Sequence, residues 1–138
     1  MPFQTFEHTA DVGLRVTAPS LDALFAEAAR GFFALLVENP DAIRPVNQIE
    51  IALSAEDHES LFVDWLRELL YRFDTEHFLG AEFAVELSDR RSLKARIRGE
   101  TLDFSRHQML QEIKAVTYHG LRVDQTPTGW SAEVIFDI

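Results

Sequence analysis

The sequence predicts an α+β domain, a two-layer sandwich in which two amphipathic helices pack on a largely antiparallel or mixed β-sheet. Three observations lead there. Two segments repeat their apolar residues at the 3.6-residue helical period, and several others alternate apolar and polar with the period of two that a half-buried strand shows. The third is size: 138 residues, 46% hydrophobic with 11 Phe and 2 Trp, suffice for one core and not for two. No low-complexity stretch, linker or repeat interrupts the chain, so residues 1–138 are expected to form a single domain.

Val12, Leu14, Val16 and Ala18 alternate with Gly13, Arg15 and Thr17 as a strand that stops at Pro19. Ser20 is a good N-cap, and Leu21, Leu24, Phe25, Ala28, Phe32, Leu35 and Leu36 then form one apolar stripe. The helix is expected to run to about Glu38, because Asn39-Pro40 disfavours its continuation. Ile49, Ile51 and Leu53 mark a second strand, and the polar stretch Ser54 to Glu59 suits a helix N-terminus. Leu61, Phe62, Trp65, Leu66, Leu69, Leu70 and Phe73 form the buried face of that second helix, with Asp64, Arg67, Glu68 and Arg72 opposite. Phe83, Val85, Leu87 and then Leu93, Ala95, Ile97 flank Ser88-Asp89-Arg90-Arg91 as an antiparallel hairpin. Ile113 to Val123 and Trp130 to Ile138 read as a last pair of strands across Gln125-Thr126-Pro127-Thr128-Gly129. Alternation assigns residues to faces but not strands to neighbours, so strand order stays open.

The absence of cysteine excludes a disulfide scaffold, thiolate zinc sites and a cysteine nucleophile. The start Met1-Pro2-Phe3-Gln4-Thr5 lacks a basic, then apolar leader, and no segment reaches the ~20 apolar residues that span a bilayer. A soluble cytoplasmic protein is expected, with no membrane contact. The net charge of −10, from 13 basic against 23 acidic residues, argues against a direct grip on nucleic acid, which needs a concentrated basic surface. Basic proteins and metal ions fit better as partners, although such acidity also simply aids solubility.

No Gly-rich phosphate loop, nucleophile elbow or two-histidine zinc helix is present, which lowers the case for an enzyme. Three polar segments embedded in apolar surroundings remain. His8-Thr9-Ala10-Asp11 precedes a strand; it is either a turn cap or a carboxylate and an imidazole at the rim of a sheet, suited to a divalent cation. In Glu133-Val134-Ile135-Phe136-Asp137-Ile138 an apolar strand runs to the last residue. If that end is packed, the Asp137 side chain and the Ile138 carboxylate are two neighbouring anions, which repel unless a cation lies between them; a solvated, frayed end is the alternative. In Glu112-Ile113-Lys114-Ala115-Val116-Thr117-Tyr118-His119, strand alternation puts Glu112, Lys114, Val116 and Tyr118 on one face. Lys114 either faces solvent as an edge lysine or supplies a cation to the acidic site. His58, His77 and His107 show no ligand spacing with one another, and Trp65 and Trp130 sit at core positions.

Taken together and in this order, these segments resemble the archease family. His8-Thr9-Ala10-Asp11-Val12-Gly13 is similar to its N-terminal motif, Trp65-Leu66-Arg67-Glu68-Leu69-Leu70-Tyr71 to its second-helix motif, Glu112 to His119 to its late strand, and Val134-Ile135-Phe136-Asp137-Ile138 to its ending. The resemblance implies a non-enzymatic cofactor of an RtcB-type RNA ligase in tRNA splicing, one that promotes guanylylation of the ligase histidine and multiple turnover. It implies a divalent-metal site at Asp11, Asp137 and the Ile138 carboxylate, with Lys114 functional beside it and His8 and His107 in supporting positions. An all-oxygen donor set suits calcium, magnesium or manganese rather than zinc. A small metal-dependent hydrolase built on Asp11 and Asp137, and a general chaperone or scaffold, are the competing readings.

Overall fold

A computed structural model describes residues 2–7 and 11–138. In chain order the elements are β1 (Phe3–Glu7), β2 (Asp11–Ala18), α1 (Leu21–Leu36), a 3-10 turn (Pro40–Ala42), β3 (Asn47–Ser54), α2 (His58–Glu76), β4 (Phe78–Ser88), β5 (Ser92–Thr101), β6 (Ala115–Thr126) and β7 (Gly129–Asp137). The α+β class holds, and all strand pairs are antiparallel. The strands divide into two sheets rather than one, a four-stranded sheet ordered β1-β2-β7-β6 and a three-stranded sheet ordered β3-β5-β4.

The division explains the composition of α1. A helix that packs on one sheet needs one apolar stripe, but Leu21, Leu24, Phe25, Ala26, Ala28, Ala29, Gly31, Phe32, Phe33, Leu35 and Leu36 are buried on several sides. The helix lies against β2 and β7 of one sheet and β4 of the other. Its start is fixed by Ser20, whose hydroxyl accepts from the Ala23 N–H at 3.2 Å. The second helix starts at Asp57, whose carboxylate accepts from Ser60 N–H at 2.7 Å, and stops at His77 in the left-handed region (φ 55°). It lies mainly along β6. The two helices are joined by the Trp65 indole, which donates to Phe25 O at 2.9 Å, and by an edge-to-face contact of Phe25 with Phe62 at 5.2 Å. Each such buried aromatic contributes roughly 1.5–3 kcal/mol.

The hairpin predicted around Ser88 forms in the expected register, with Phe83 opposite Ile97, Val85 opposite Ala95 and Leu87 opposite Leu93. Asp89 and Arg90 both take positive φ (54° and 61°), and Arg91 N–H closes the turn on Ser88 O at 3.2 Å. This primed geometry matches the twist of the flanking strands. Among the described residues no helix is long and apolar enough to cross a membrane.

Three expectations need correction. The strand β1 was not foreseen, and it now forms the edge beyond β2. The late strand begins at Ala115, not Ile113. Ile113 and Val116 are both buried, an odd spacing that breaks two-residue alternation, so Glu112 and Lys114 belong to an approach segment and not to one strand face. The chain end is only partly packed: Phe136 is fully buried, whereas Asp137 and Ile138 are exposed, Ile138 by 37%. Inward alternation along β7 ends at Phe136.

Candidate acidic site and the segment that serves it

The register of β2 and β7 sets Asp11 directly opposite Asp137. Directly paired residues project from the same face with Cβ atoms roughly 4.5–5.5 Å apart, so two carboxylates converge at one end of the four-stranded sheet. The face follows from the neighbouring pair: Val12 and Phe136 are buried against the helices, which turns Asp11 and Asp137 toward the opposite side. Asp11 is half-buried and Asp137 exposed.

Further along that face Gly13 stands opposite Ile135, then Arg15 opposite Glu133. The Phe6 ring lies over Gly13; a Cβ there would sit 2.0 Å from its nearest carbon, so glycine is needed for the close approach. Arg15 stacks on Phe6 at 5.1 Å and donates to Glu133 at 2.6 Å. The Arg15 bond, with Arg122 beside it, holds the Glu133 carboxyl below the ordinary carboxylate range. Arg15 is thereby committed to Glu133, four residues or roughly 13 Å along the strand from the aspartate pair.

Lys114 comes closest to that pair by backbone. Its N–H donates to Asp137 O at 2.8 Å, and the following residue, Ala115, pairs with Asp137. The side chain is exposed. Asp11, Asp137, Lys114 and Ile138 are therefore brought together at one end of the β2-β7-β6 ladder. His8 lies outside the described residues.

His107 is held in a different set of contacts. It is 2% exposed within the connection from β5 to β6, where its Nδ1 accepts from the Asp103 N–H at 2.9 Å. A backbone amide can only donate, so the ring proton sits on Nε2, which donates to Glu100 at 2.9 Å. Both ring nitrogens are thus occupied within a buried polar cluster. Glu100 also accepts from Arg44 N–H at 2.7 Å and from the Arg106 guanidinium. Burial alone would raise the Glu100 carboxyl; the bonds from Arg106, Arg44 N–H and His107, with the Arg106 charge, outweigh it and bring the carboxyl down to about 2. Asn39 grips the other side of the segment, donating to Arg106 O at 3.0 Å and accepting from Gln108 N–H at 3.3 Å.

The residues missed by sequence reasoning are thus Glu100, Asp103 and Arg106. Their signal was a run of charged residues at spacings of three, Glu100, Asp103 and Arg106 followed by His107, spanning the end of β5 and the connection after it.

The aspartate pair offers hard oxygen donors, the type a calcium, magnesium or manganese ion takes. Among the described residues no three His, Cys, Asp or Glu side chains gather as a ligand set. Asp11 and Asp137 offer such an ion two carboxylates, and the charge of two opposed anions favours a cation between them.

The archease protein family model matches residues 3–138. The archease of Methanopyrus kandleri is 38% identical over 141 aligned residues and covers 100% of both chains. That of Pyrococcus furiosus is 34% identical, covering 99% of this chain and 98% of its own. The solution structure of Methanobacterium thermoautotrophicum protein 1598 superposes with a TM-score of 0.87 at 30% identity over 99% of each chain. The Thermotoga maritima archease, described as a possible chaperone, shares the fold with a TM-score of 0.64 at 22% identity over 98% and 96% of the two chains. Sequence and architecture agree over the full length: the chain belongs to the archease family.

Proposed function

We propose that this protein is a non-enzymatic activator of an RtcB-type RNA ligase in tRNA splicing, promoting ligase guanylylation and multiple turnover through a divalent-metal site at Asp11, Asp137 and the Ile138 carboxylate. The observation that carries the reading is the β2–β7 register, which sets Asp11 opposite Asp137 and ties Lys114 to the same residue through its backbone. Family membership supports the partner, and the hard, anionic donor set supports the ion. A divalent cation held there supplies positive charge for phosphate oxygens. Lys114, exposed and adjacent, adds a second cation for the same ligand class. The net charge of −10 steers association toward a basic, RNA-binding surface.

The test is a guanylylation and ligation time course with purified ligase, limiting in amount, with and without this protein and with calcium, magnesium or manganese. The reading predicts faster guanylylation and a change from a single burst to sustained turnover. Identical time courses in every metal would remove it.

A further inference from the structure

The connection between β5 and β6 is more strongly built than a linker requires. Asp103 N–H is held by His107, Asp103 O accepts from Arg106 N–H at 2.9 Å and His107 N–H at 2.7 Å, and the Asp103 carboxylate accepts from Ser105 N–H at 3.0 Å and Ser105 Oγ at 2.7 Å. Buried Glu100 anchors this turn from below through Arg106 and His107. What the turn presents is Phe104, 79% exposed, the most exposed large apolar side chain among the described residues. Val46, 66% exposed, lines the same shallow recess. Leu110, 50% exposed, follows on the same segment, its backbone fixed to Leu36 O at 2.7 Å. The segment then ends at Lys114 and its bond to Asp137 O.

A single exposed apolar residue is ordinary. Here, however, Phe104 and Leu110 lie on one continuous segment that leads into the acidic site, and the backbone beneath Phe104 is already ordered. Ordering a loop costs affinity at the moment of binding, and a pre-ordered aromatic avoids that cost. Aromatic anchors of this kind dominate interfaces when they enter an apolar pocket.

We propose that Phe104 is the anchor by which this chain docks on its protein partner, entering an apolar pocket on a basic surface, with Val46 beside it in the same recess, Leu110 further along the same segment, and the segment 102–114 delivering Lys114 and the aspartate pair to the partner's reaction centre. Charge complementarity selects the occupant: the chain carries −10 overall, so a second copy of itself is repelled and a basic, RNA-handling protein is attracted. The inference rests on the ligase reading above and names the surface through which that activation acts.

The test measures binding of purified RtcB-type ligase to the full chain and to Phe104→Ala, with Tyr71→Ala as a control. Tyr71 is 59% exposed but lies on α2, outside the segment. Phe104→Ala is expected to weaken binding by roughly 30-fold, with thermal melting and the metal titration of the free protein unchanged, while Tyr71→Ala binds as the unmodified chain does. Equal binding by Phe104→Ala, or equal weakening by Tyr71→Ala, overturns the anchor. Sedimentation of the chain alone supplies a further check: a dimer that Phe104→Ala dissociates would make a second copy the occupant and overturn the proposal. If the unmodified chain binds no ligase, the ligase reading itself fails, an outcome distinct from normal ligase binding by Phe104→Ala.

Discussion

Replacing Glu100 with glutamine tests the buried cluster with almost no change of volume. The carboxylate accepts three donors, Arg106 on one oxygen and Arg44 N–H and His107 Nε2 on the other. A glutamine amide has only one oxygen, so in either orientation its NH2 group faces a donor. At least one bond to the Arg106 cation or the Arg44 and His107 pair is lost inside the protein, and Arg106 keeps only the Asp103 carboxylate, 3.6 Å from its Nε, as a compensating charge. A hydrogen bond to a charged group is worth about 1.5–3 kcal/mol and stranded buried donors cost more, so Glu100→Gln should destabilise by about 2–3 kcal/mol at pH 7. For a chain of this length that corresponds to a fall in melting temperature of roughly 8–12 °C.

The pH dependence carries the stronger signature. The Glu100 carboxyl is held at about 2 against an ordinary 4.5. A depressed carboxyl stabilises the fold fully above its unfolded value and loses that contribution as pH falls toward its folded value. The gap between the native chain and Glu100→Gln should therefore be constant from pH 7 to about pH 5.5 and shrink to less than half by roughly pH 3. Urea denaturation of both proteins across that range measures it. A gap under about 0.5 kcal/mol at pH 7, or one that does not shrink in acid, would refute the view that an ionised Glu100 braces the segment.

Other consequences follow from the sheet and the site. Gly13→Ala must push the Phe6 ring off the sheet, since the new Cβ would stand 2.0 Å from it; a loss of about 1–3 kcal/mol is expected by thermal melting, and a variant as stable as the native chain would contradict the close approach. Lys114→Ala should impair ligase activation at least about tenfold while divalent-metal affinity holds or rises, because a neighbouring cation repels the metal; unimpaired activation in the ligation assay would make Lys114 an ordinary exposed residue. A short extension after Ile138 turns its carboxylate into an amide and should weaken calorimetric metal binding, whereas an equal extension before Met1 should not; equal affinities would remove Ile138 from the ligand set.

The helices were legible because one property, the 3.6-residue stripe, both defines a helix and selects its buried face. Ser20 announced the start of α1, and Leu61, Phe62, Trp65, Leu66, Leu69 and Leu70 are buried as the stripe of α2 requires. The split into two sheets was not legible, because the buried faces of β2 and β5 look alike in sequence and neither names its neighbour. Yet α1 held a trace of it, being apolar around more of its circumference than one sheet needs. The opposition of Asp11 and Asp137 likewise depends on the β2–β7 register, which lies between residues 126 apart in a 138-residue chain. Glu100 and Arg106 escaped notice for a different reason. Charged residues at a strand end and in the connection after it read as solvated, and only their mutual satisfaction, visible once the chain is folded, allows the carboxylate of Glu100 to be buried. His107 was singled out, but its partners were not foreseen.

The claim on which the account turns is that the carboxylate opposite Asp11 serves the partner ligase and not the fold. Asp137→Asn keeps the shape and the β2–β7 backbone pairing, removes one negative charge, and should melt within about 0.5 kcal/mol of the native chain because the residue is exposed. Multiple-turnover ligation by purified ligase, measured with the native chain and with Asp137→Asn at matched divalent-metal concentration, is the direct measurement. The account predicts that Asp137→Asn folds normally and leaves the ligase at its unassisted rate; full activation by the folded variant would contradict it.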